Sequence, residues 1–526
     1  MNWRACAAVL LLAGCQTMPP QAGKDVADTL VVGGLVFDGT AAQGRTVDLA
    51  LAGGRIVYVG PGAAERYRAG RVIDASGLIV APGFIDPHTH AGADLASQDA
   101  GRRANLPFAF QGVTTVVTGN DGFGTPDIAD QADKARRQGI GTNVAYLAGF
   151  GPVREASLGT ENRAPLAAEI GAMRSAVRQA MCEGAWGLSA GLYYVPQNYA
   201  STEEVVELAR IAGEHGGYYD THMRDESTYN ITVTGALAET LEIGRRAGLP
   251  VHIAHIKALG PAVWGHSERM VAMIEEAQGN GQRVTADQYP WEASGTRISN
   301  ALVPRAALEG GLDALRARLA DPDQAPAIRE GMIAAIARRG GADKLLVTAP
   351  LHGAEVPVGA TLAELAERGG MPPVDAAIAI LERGDARIAS FNMSPADIAA
   401  FAARDWVVTG SDGSSGHPRK YASFPKAYRD LVQGGGAMSL ARFIRRSSGQ
   451  TADIVGLTDR GYLRQGYAAD VVIFDPETFA PRATYQQPRE LSVGVRHLLV
   501  NGEAVIADGE YTGALPGQPL LKKTGC

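Results

Sequence analysis

Cysteine, positive charge and long apolar runs are all scarce in this chain. Its 526 residues include four cysteines, Cys6, Cys15, Cys182 and Cys526, too few and too scattered for a disulfide scaffold or a cysteine-based zinc site. The 49 Lys and Arg against 56 Asp and Glu give a net charge of −7 without a basic run, which argues against nucleic acid as a partner. Beyond the N-terminus, no stretch reaches the ~18 apolar residues that a membrane span needs.

The composition is that of a folded protein with a large core. Hydrophobic residues make up 46% of the chain and charged residues 20%, which excludes a disordered polypeptide. At ~150 residues per domain the length allows about three domains, and one large α/β barrel with a smaller companion would use the same length. The 65 glycines among 526 residues are a larger share than the usual ~7%, and they show no collagen-like period. We therefore expect many tight turns.

The N-terminus is typical of an exported, lipid-anchored protein. Arg4 precedes an apolar run, and the sequence Leu-Ala-Gly-Cys ends at Cys15. This segment resembles a bacterial lipobox, in which the cysteine is acylated and becomes the mature N-terminus. We therefore predict a signal peptide over residues 1–14, a polar tether over 15–28 and a periplasm-facing location in the bacterial cell envelope, where Gln16 favours the outer membrane. The alternative is an ordinary secretory signal that contains a cysteine by chance.

The two ends of the remaining chain are both rich in short β-like runs. Residues 29–80 hold apolar runs separated by glycine pairs, and residues 463–515 repeat the pattern around an Asn501-Gly502 turn. Asn-Gly between apolar runs is a strong hairpin signal. We predict one small β domain assembled from both segments, with two unrelated hairpins as the alternative.

The middle of the chain, residues 81–462, alternates apolar β-like runs with helical stretches. A strand followed by a helix, repeated about eight times, is typical of an α/β fold with a closed (β/α)8 barrel of the TIM type. The eight runs span residues 80–86, 114–118, 143–147, 185–188, 217–221, 251–254, 283–286 and 406–409. The long, mostly helical interval 291–345 is predicted to be an insertion after strand seven, where it would cover the active face as a lid.

Six polar side chains follow the predicted barrel strands. They are His88, His90, Asp121, His222, His255 and Asp412. Barrel enzymes build their sites at the C-terminal ends of the strands, so we expect these side chains to converge on one or two divalent metal ions. Imidazole and carboxylate ligands favour Zn²⁺, with manganese or cobalt as alternatives. His252 lies on the other strand face from His255 and is predicted to be a core histidine.

Longer sequence blocks carry a resemblance to a known family. PGFIDPHTH followed much later by a strand-end aspartate resembles the amidohydrolase superfamily. The segments GAWGLSAGLYYVP, YYDTHMRDES, VHIAHIKALG, DQYPWEASGT and GSDGSSGHPRKYASFP are similar to its D-aminoacylase, or N-acyl-D-amino-acid deacylase, branch. The resemblance runs from about Leu30 to Gly517. It implies a barrel hydrolase with a divalent metal cofactor that cleaves a non-peptide C–N bond.

The resemblance also implies how the metal ligands are divided. His88 and His90, joined by Asp412, match the ligands of one metal position. His222 and His255 match the ligands of a second, tighter position. We therefore expect either one or two ions at this site.

A second set of residues matches those that bind the substrate in the family. Lys257, Tyr289 and Arg419 match the residues that hold a substrate carboxylate, and an ammonium, a hydroxyl and a guanidinium group suit an anion. Tyr194 belongs to the loops that are expected to contact the acyl group and the side chain of the substrate.

The chain departs from the family pattern at the metal site. Asp121 stands in GNDG where the family carries a cysteine that ligates, and often bridges, the metals. A carboxylate is a harder ligand than a thiolate, so the change favours a filled two-metal site or a metal other than zinc. The family serine is displaced in Ala293-Ser294-Gly295-Thr296, and no lysine ends the fourth strand, so a carboxylated-lysine bridge is not expected.

These observations together predict a metal-dependent amidohydrolase. Its substrates are small molecules with a free carboxylate, either N-acyl-D-amino acids or dipeptides with a C-terminal D-residue. Asp412 is the expected general base for water that the metal activates. Its only contact with a membrane is the expected N-terminal lipid. The alternatives are a cyclic-amide hydrolase of the hydantoinase or dihydroorotase type, and a non-catalytic, metal-containing binding protein of the envelope.

Overall fold

The computed structural model describes residues 24–526. The predicted signal peptide and most of the predicted tether lie outside the described residues. The strand Asp25–Val32 begins inside the predicted tether, because Ala27 is already buried in a small apolar cluster of the first sheet. Residues 25–28 therefore belong to the fold. Across residues 24–526, no helix combines the length and the apolar character that crossing a membrane requires.

Eight parallel strands close into a barrel at the centre of the molecule, which confirms the predicted (β/α)8 fold. They are β1 (Phe84–Asp86), β2 (Val113–Thr118), β3 (Asn143–Tyr146), β4 (Gly187–Gly191), β5 (Tyr218–His222), β6 (Val251–Ile253), β7 (Val284–Gln288) and β8 (Val407–Thr409). Each pairs with the next, and a short extension of β3, Ala148–Gly149, reaches β4. A parallel bridge between Thr89 and Gly413 closes the ring past the ends of β1 and β8.

An outer layer of helices surrounds the strands. Its helices are Gly92–Leu95, Ala100–Arg103, Leu106–Ala109, Ile128–Gln138, Phe150–Leu158, Ala167–Cys182, Thr202–Glu214, Thr232–Ala247, Ser267–Gly279, Pro395–Ala402, Arg419–Ala427, Leu440–Ser447 and Gly449–Val455. In Thr202–Glu214 the Ser201 hydroxyl caps the helix by accepting the Glu204 N–H at 3.2 Å. Its buried residues include Val205, Leu208, Ala209 and Ala212, at successive spacings of three, one and three positions. This helical spacing gives the apolar stripe that packs against the barrel.

The predicted first barrel strand consists of two strands that belong to different sheets. Ile79–Pro82 lies in the small β domain, and β1 begins two residues later in the barrel. Gly83 joins them where a β-carbon would lie 2.2 Å from the Thr114 side chain. Only glycine allows this close approach, so the chain passes from one domain into the other at a single residue.

Both chain ends contribute to the small β domain. One sheet has the order Arg55–Gly60, Asp48–Ala52, Asp25–Val32, Tyr67–Asp74. The other has the order Glu510–Tyr511, Glu503–Ala507, Val495–Val500, Val471–Phe474, Ile79–Pro82, Leu35–Val36, Arg45–Thr46. The two ends meet where Ile79–Pro82 pairs antiparallel with Val471–Phe474. Past this domain, Pro519–Leu520 pairs with β3 of the barrel.

The insertion after β7 is longer than the predicted interval 291–345. It contains an antiparallel sheet in which Asp385–Phe391 lies between Ala293–Arg297 and Leu345–Leu351. Its helices are Ile298–Leu302, Gly311–Ala320, Ala325–Arg338, Leu362–Arg368 and Pro373–Arg383, and they pack around a core of their own. The predicted end was wrong because the last strand is fixed by pairing with residues about 90 positions earlier, which no local pattern marks.

A disulfide joins two cysteines to which the sequence analysis assigned no partner. Cys182 ends a barrel helix, and it is bonded to Cys526 at the end of the chain. The pairing became visible only in the fold, because the strand Pro519–Leu520 brings the last residues alongside the barrel. His215 lies beside the pair, with Nε2 3.8 Å from the Cys182 Sγ.

Candidate metal centre

The six predicted ligand residues lie together at the C-terminal mouth of the barrel. His88 and His90 follow β1, Asp121 follows β2, His222 ends β5, His255 follows β6 and Asp412 follows β8. Backbone hydrogen bonds tie the first and last strands at this rim. The Asp412 N–H donates to the His88 carbonyl oxygen at 3.0 Å, and the His90 N–H donates to the Gly413 carbonyl oxygen at 3.2 Å. Residues more than 300 positions apart therefore share one site.

A first donor group combines His88, His90, Asp121 and Asp412. His90 Nε2 lies 3.1 Å from Asp412 Oδ1 and 3.4 Å from Asp121 Oδ2. His88 Nε2 lies 3.4 Å from Asp121 Oδ1. Two imidazole nitrogens and two carboxylates thus face a common point.

A second donor group combines His222, His255 and the same Asp121. His222 Nδ1 and His255 Nε2 are 2.9 Å apart, and they lie 3.7 and 3.3 Å from Asp121 Oδ1. Asp121 therefore belongs to both groups, because each of the four histidines has a ring nitrogen within 3.7 Å of one of its carboxylate oxygens. This is the position of a carboxylate that can bridge two cations.

The backbone is unusual at three of the six residues. Asp121, His255 and Asp412 have φ angles of 57, 36 and 48°, in the left-handed region that residues other than glycine seldom adopt. Such conformations cost about 1–3 kcal/mol each and cluster at functional sites. At Asp121 the turn is held by Gln197, whose amide donates to the Asp121 carbonyl oxygen at 3.0 Å.

The donor atoms fit a divalent cation. His88 Nε2 and Asp121 Oδ1 are both buried without a hydrogen-bond partner, although buried polar atoms are normally paired. A cation between the two groups would satisfy both atoms. Nitrogen and carboxylate oxygen donors without sulfur suit zinc, manganese or cobalt.

Charges within the centre keep the aspartates ionised despite their burial. Burial raises the pKa of Asp121, but His88 and His255 outweigh it and hold that pKa well below its usual value. Burial acts in the same direction on Asp412, whose pKa is held low by Arg419 and His255. Burial lowers the pKa of His255, but the surrounding carboxylates raise it to about 9. At neutral pH and without metal, the site therefore holds ionised carboxylates and protonated imidazole. A cation that binds there would displace protons from the imidazole.

Glu226 supports the second group from behind, and the sequence analysis did not single it out. Its Oε1 lies 3.2 Å from His255 Nδ1, and its Oε2 lies 3.5 Å from His222 Nε2. The Lys257 ammonium donates to Oε1 at 2.6 Å. Burial raises the pKa of Glu226, but His222 and Lys257 outweigh it and keep the residue ionised. A carboxylate behind a ligand imidazole fixes its tautomer and orientation, and the spacing of four residues from His222 was the available signal.

Asp287 has the corresponding place behind the first group. It lies in β7, and its Oδ2 is 3.7 Å from His88 Nδ1 and 3.2 Å from His252 Nε2. His252 is buried, and its Nδ1 is 2.9 Å from the Thr285 hydroxyl. This histidine, predicted to be a core residue, is thus hydrogen-bonded on both nitrogens and helps to position Asp287.

The three residues predicted to bind a carboxylate lie together beside the centre. The Arg419 guanidinium contacts Asp412 Oδ2 at 2.8 Å, and its Cζ lies 4.9 Å from the centre of the Tyr289 ring. The Lys257 ammonium lies 5.8 Å from the same ring and contacts His255 Nδ1 at 2.6 Å. In this structure both cations therefore face site residues.

A cavity of about 310 Å³ opens next to His90 and Asp412, and we call it the substrate cavity. Tyr194 lines it and packs on His222, with ring centres 4.8 Å apart. Arg297 and Arg387 line it too, and within residues 24–526 neither forms an ion pair. Neither arginine could be recognised from the sequence, because the two lie on the insertion strands Ala293–Arg297 and Asp385–Phe391, which meet in space only through strand pairing.

Comparison with known proteins identifies the family. The amidohydrolase family profile matches residues 71–506. The D-aminoacylase of Alcaligenes xylosoxydans xylosoxydans is 33% identical over 524 residues, which cover 94% of this chain and 98% of that protein. The chain belongs to the amidohydrolase family.

Two further proteins resemble this amidohydrolase over nearly its whole length. The N-acyl-D-aspartate deacylase of the same organism is 33% identical over 528 residues, covering 94% of this chain and 95% of that protein. The crystal structure of the N-acyl-D-glutamate deacylase from Bordetella bronchiseptica matches with a TM-score of 0.80 at 30% identity, over 94% of this chain and 100% of that one. That crystal structure contains zinc and a phosphonate inhibitor that mimics the tetrahedral intermediate of the reaction. The family resemblance read from the sequence is confirmed.

The fourth strand of this amidohydrolase carries no bridging group. β4 has the sequence GLSAG, and its Ser189 hydroxyl donates to the buried Asp220 at 3.3 Å. Asp121, from the turn after β2, is the one residue common to both donor groups of the described chain. A carboxylate that bridges two cations here would therefore come from the turn after β2 and not from β4, where a carboxylated lysine would stand.

Proposed function

We propose that this amidohydrolase is an N-acyl-D-amino-acid deacylase that binds one or two zinc ions. The observation that carries the proposal is the pair of donor groups joined by Asp121, with a carboxylate-binding set of cationic side chains beside them. The named relatives, a D-aminoacylase and two deacylases of acidic N-acyl-D-amino acids, support the reaction.

The reaction needs an activated water and a group that moves protons. A divalent ion held by the two donor groups would polarise the amide carbonyl and lower the pKa of water. Asp412 accepts the proton of the attacking water through its carboxylate and delivers it to the amide nitrogen as the C–N bond breaks. Arg419, 2.8 Å away, keeps Asp412 ionised and so able to accept that proton.

Recognition of the substrate falls to residues on the same side of the centre. Arg419, Lys257 and Tyr289 are the proposed partners of the α-carboxylate, as the family resemblance implies. Fixing this carboxylate and the scissile amide together orients the side chain of the substrate toward one wall, which allows one configuration to be preferred. Tyr194, packed on His222, forms part of that wall.

We further propose that acidic D-amino acids are the preferred substrates. Arg297 and Arg387 line the substrate cavity, and among residues 24–526 the acidic residues of its lining are Asp121 and Asp412 alone. Burial and the positive charges of Arg297 and Arg419 lower the pKa of Arg387, so an anionic ligand there would relieve repulsion between guanidinium groups. The carboxylate of a D-aspartate or D-glutamate side chain has this charge and is matched by the planar guanidinium.

The decisive experiment combines metal analysis with hydrolysis of paired substrates. Purified protein is assayed on N-acetyl-D- and N-acetyl-L-glutamate, aspartate and leucine, and on dipeptides with a C-terminal D-residue. One or two bound divalent ions with D-selective cleavage support the proposal. Opening of hydantoin or dihydroorotate rings without cleavage of these amides would replace it with the cyclic-amide function, and bound metal with no turnover would favour a binding protein.

We also propose that the protein is anchored to the bacterial envelope through a lipid on Cys15. The supporting observations are the lipobox-like sequence ending at Cys15 and the Cys182–Cys526 disulfide, since disulfides persist in oxidising compartments such as the periplasm. Incorporation of labelled palmitate and membrane fractionation test this. Cys15→Ala should lose the label and leave the membrane fraction, whereas Cys6→Ala should keep both. Membrane association that survives Cys15→Ala would contradict the anchor.

A further inference from the structure

A second cavity of about 430 Å³ lies between the barrel and the insertion, and we call it the insertion cavity. On the barrel side it is lined by the loops after β4 and β5, including Tyr193 and Tyr229. On the insertion side it is lined by Arg305 and by Arg338, which ends the helix Ala325–Arg338. The deacylase chemistry proposed above uses none of these four side chains.

The charge of the insertion cavity is positive and uncompensated. Neither Arg305 nor Arg338 forms an ion pair within the part of the chain that the structure describes, and no acidic residue of that part lines the cavity. The Arg305 Nη2 is buried without a hydrogen-bond partner. The third arginine of the wall, Arg224, forms an ion pair with Glu239 at 2.8 Å. Arg305 and Arg338 have no such carboxylate partner within the described residues.

Three guanidinium groups surround one aromatic ring at this place. The Cζ atoms of Arg305, Arg338 and Arg339 lie 5.9, 4.6 and 5.8 Å from the centre of the Tyr229 ring. Cation–π attraction favours each of them individually, but like charges this close repel one another. An anion bound between Arg305 and Arg338 would remove that repulsion and supply the missing acceptor for Arg305.

The remaining wall of the insertion cavity contains Asn198 and Asn230 and an apolar part. Leu302, Pro304 and Ala335 line it beside the arginines. We propose that the insertion cavity is a binding site for a small organic anion, whose carboxylate or phosphate head contacts Arg305 and Arg338 and whose body packs on this wall.

The site is separate from the metal centre but shares one residue with it. The Tyr193 ring has the Arg305 guanidinium 3.9 Å from its centre on one side and the His222 ring 5.2 Å away on the other. The Tyr193 hydroxyl also donates to the Asn300 carbonyl oxygen of the insertion at 2.8 Å. An anion in the insertion cavity would therefore contact the insertion and the barrel together, one residue away from a metal ligand.

The proposal is tested by a binding measurement on the metal-loaded protein. Because turnover is not the readout, a negative result would leave the deacylase proposal standing. Isothermal titration calorimetry with benzoate, its neutral isostere benzamide and inorganic phosphate separates the contributions of charge, apolar body and head group. Benzoate should bind at a saturable site that Arg387→Gln leaves intact, benzamide should not occupy that site, and phosphate reports whether the head group alone suffices. Arg338→Gln and Arg305→Gln should each weaken binding about tenfold by removing a charged hydrogen bond.

The substrate cavity is itself proposed to bind a carboxylate, so the comparison variant Arg387→Gln removes a guanidinium there and identifies any benzoate bound in that cavity. The benzoate affinity of the insertion cavity should change less than twofold in this variant. Within residues 24–526 the Arg338 side chain donates no hydrogen bond and contacts the Tyr229 ring at 4.6 Å, so its variant is expected to fold even if the Arg305 variant does not. Absence of a saturable site, equal binding of benzamide, or binding that is lost in Arg387→Gln but kept in Arg338→Gln would overturn the proposal.

Discussion

The two donor groups that share Asp121 differ in how far they are closed off from solvent. His222 and His255 have side chains that are 7 and 1% exposed, and Glu226 lies directly behind both rings. In the other group, the His90 side chain is 27% exposed and lines cavities of about 570 and 310 Å³. One half of the centre is thus enclosed, and the other half opens toward ligands.

This difference indicates that the two halves of the metal centre have different roles. The enclosed half is fixed by short contacts to a buried carboxylate, as suits tight binding of a cation. The open half contains Asp412, whose contact with Arg419 connects it to the proposed carboxylate site. We therefore expect proton transfer to occur at the open half and the enclosed half to dominate retention of the metal.

The largest expected effect comes from Asp412→Asn, which acts on the open half. Removal of the general base should lower kcat on N-acetyl-D-glutamate by about 10³-fold. The amide oxygen can still contact a cation, so the metal content should stay near that of the wild type. Steady-state kinetics together with elemental analysis check this. Near-wild-type turnover at full metal content would remove Asp412 from its proposed role.

The next effect separates the two halves by their supporting carboxylates. Glu226→Gln should weaken zinc binding by about 10–100-fold, because His222 and His255 lose the acceptor that orients them. Asp287→Asn is the matched control behind His88, whose Nδ1 lies 3.7 Å from the Asp287 carboxylate, and it should have a smaller effect. Competition titrations with a chromogenic chelator measure both. Equal losses would show that the enclosed half has no special part in retaining metal.

The pH dependence of metal binding follows from the raised pKa of His255. The carboxylates around it raise the pKa of His255 to about 9, so below pH 9 a cation must displace a proton from this imidazole, and above pH 9 His255 no longer contributes a proton. Zinc affinity should therefore rise with pH, by about tenfold per unit for each proton displaced, and rise less steeply above pH 9, where the His255 contribution ends. Chelator competition at pH 7, 8 and 9.5 measures the trend. An affinity that is the same at pH 7 and 8 would contradict it.

The smallest expected effect concerns specificity in the open half. Arg387→Gln should lower kcat/KM for N-acetyl-D-glutamate by about tenfold, the value of one charged hydrogen bond. Its effect on N-acetyl-D-leucine should stay within about twofold, because that side chain makes no ionic contact. Paired assays on the two substrates give the ratio directly. A uniform loss on both substrates would mean that Arg387 supports the fold and does not select the side chain.

The fold and the clustering of the six donor residues could be predicted from the sequence because both leave local signals. Barrel strands are short apolar runs followed by helical periodicity, and the strands matched the predicted runs to within a few residues. A ligand at the end of a strand is visible as a histidine or an aspartate just after such a run, as at His222. Closure of the barrel then brings these ends together wherever they lie along the chain.

Tertiary structure alone decided what surrounds the ligands. Glu226 and Asp287 support the imidazoles through contacts between neighbouring loops and strands, and Arg387 reaches the substrate cavity because its strand pairs with one about 90 residues earlier. The Cys182–Cys526 disulfide and the uncompensated arginines of the insertion cavity arise in the same way. Local patterns record which residues form an element and which end carries a functional group. Distances between elements are set by packing of the whole chain, so the partners of each charged group had to be read from the structure.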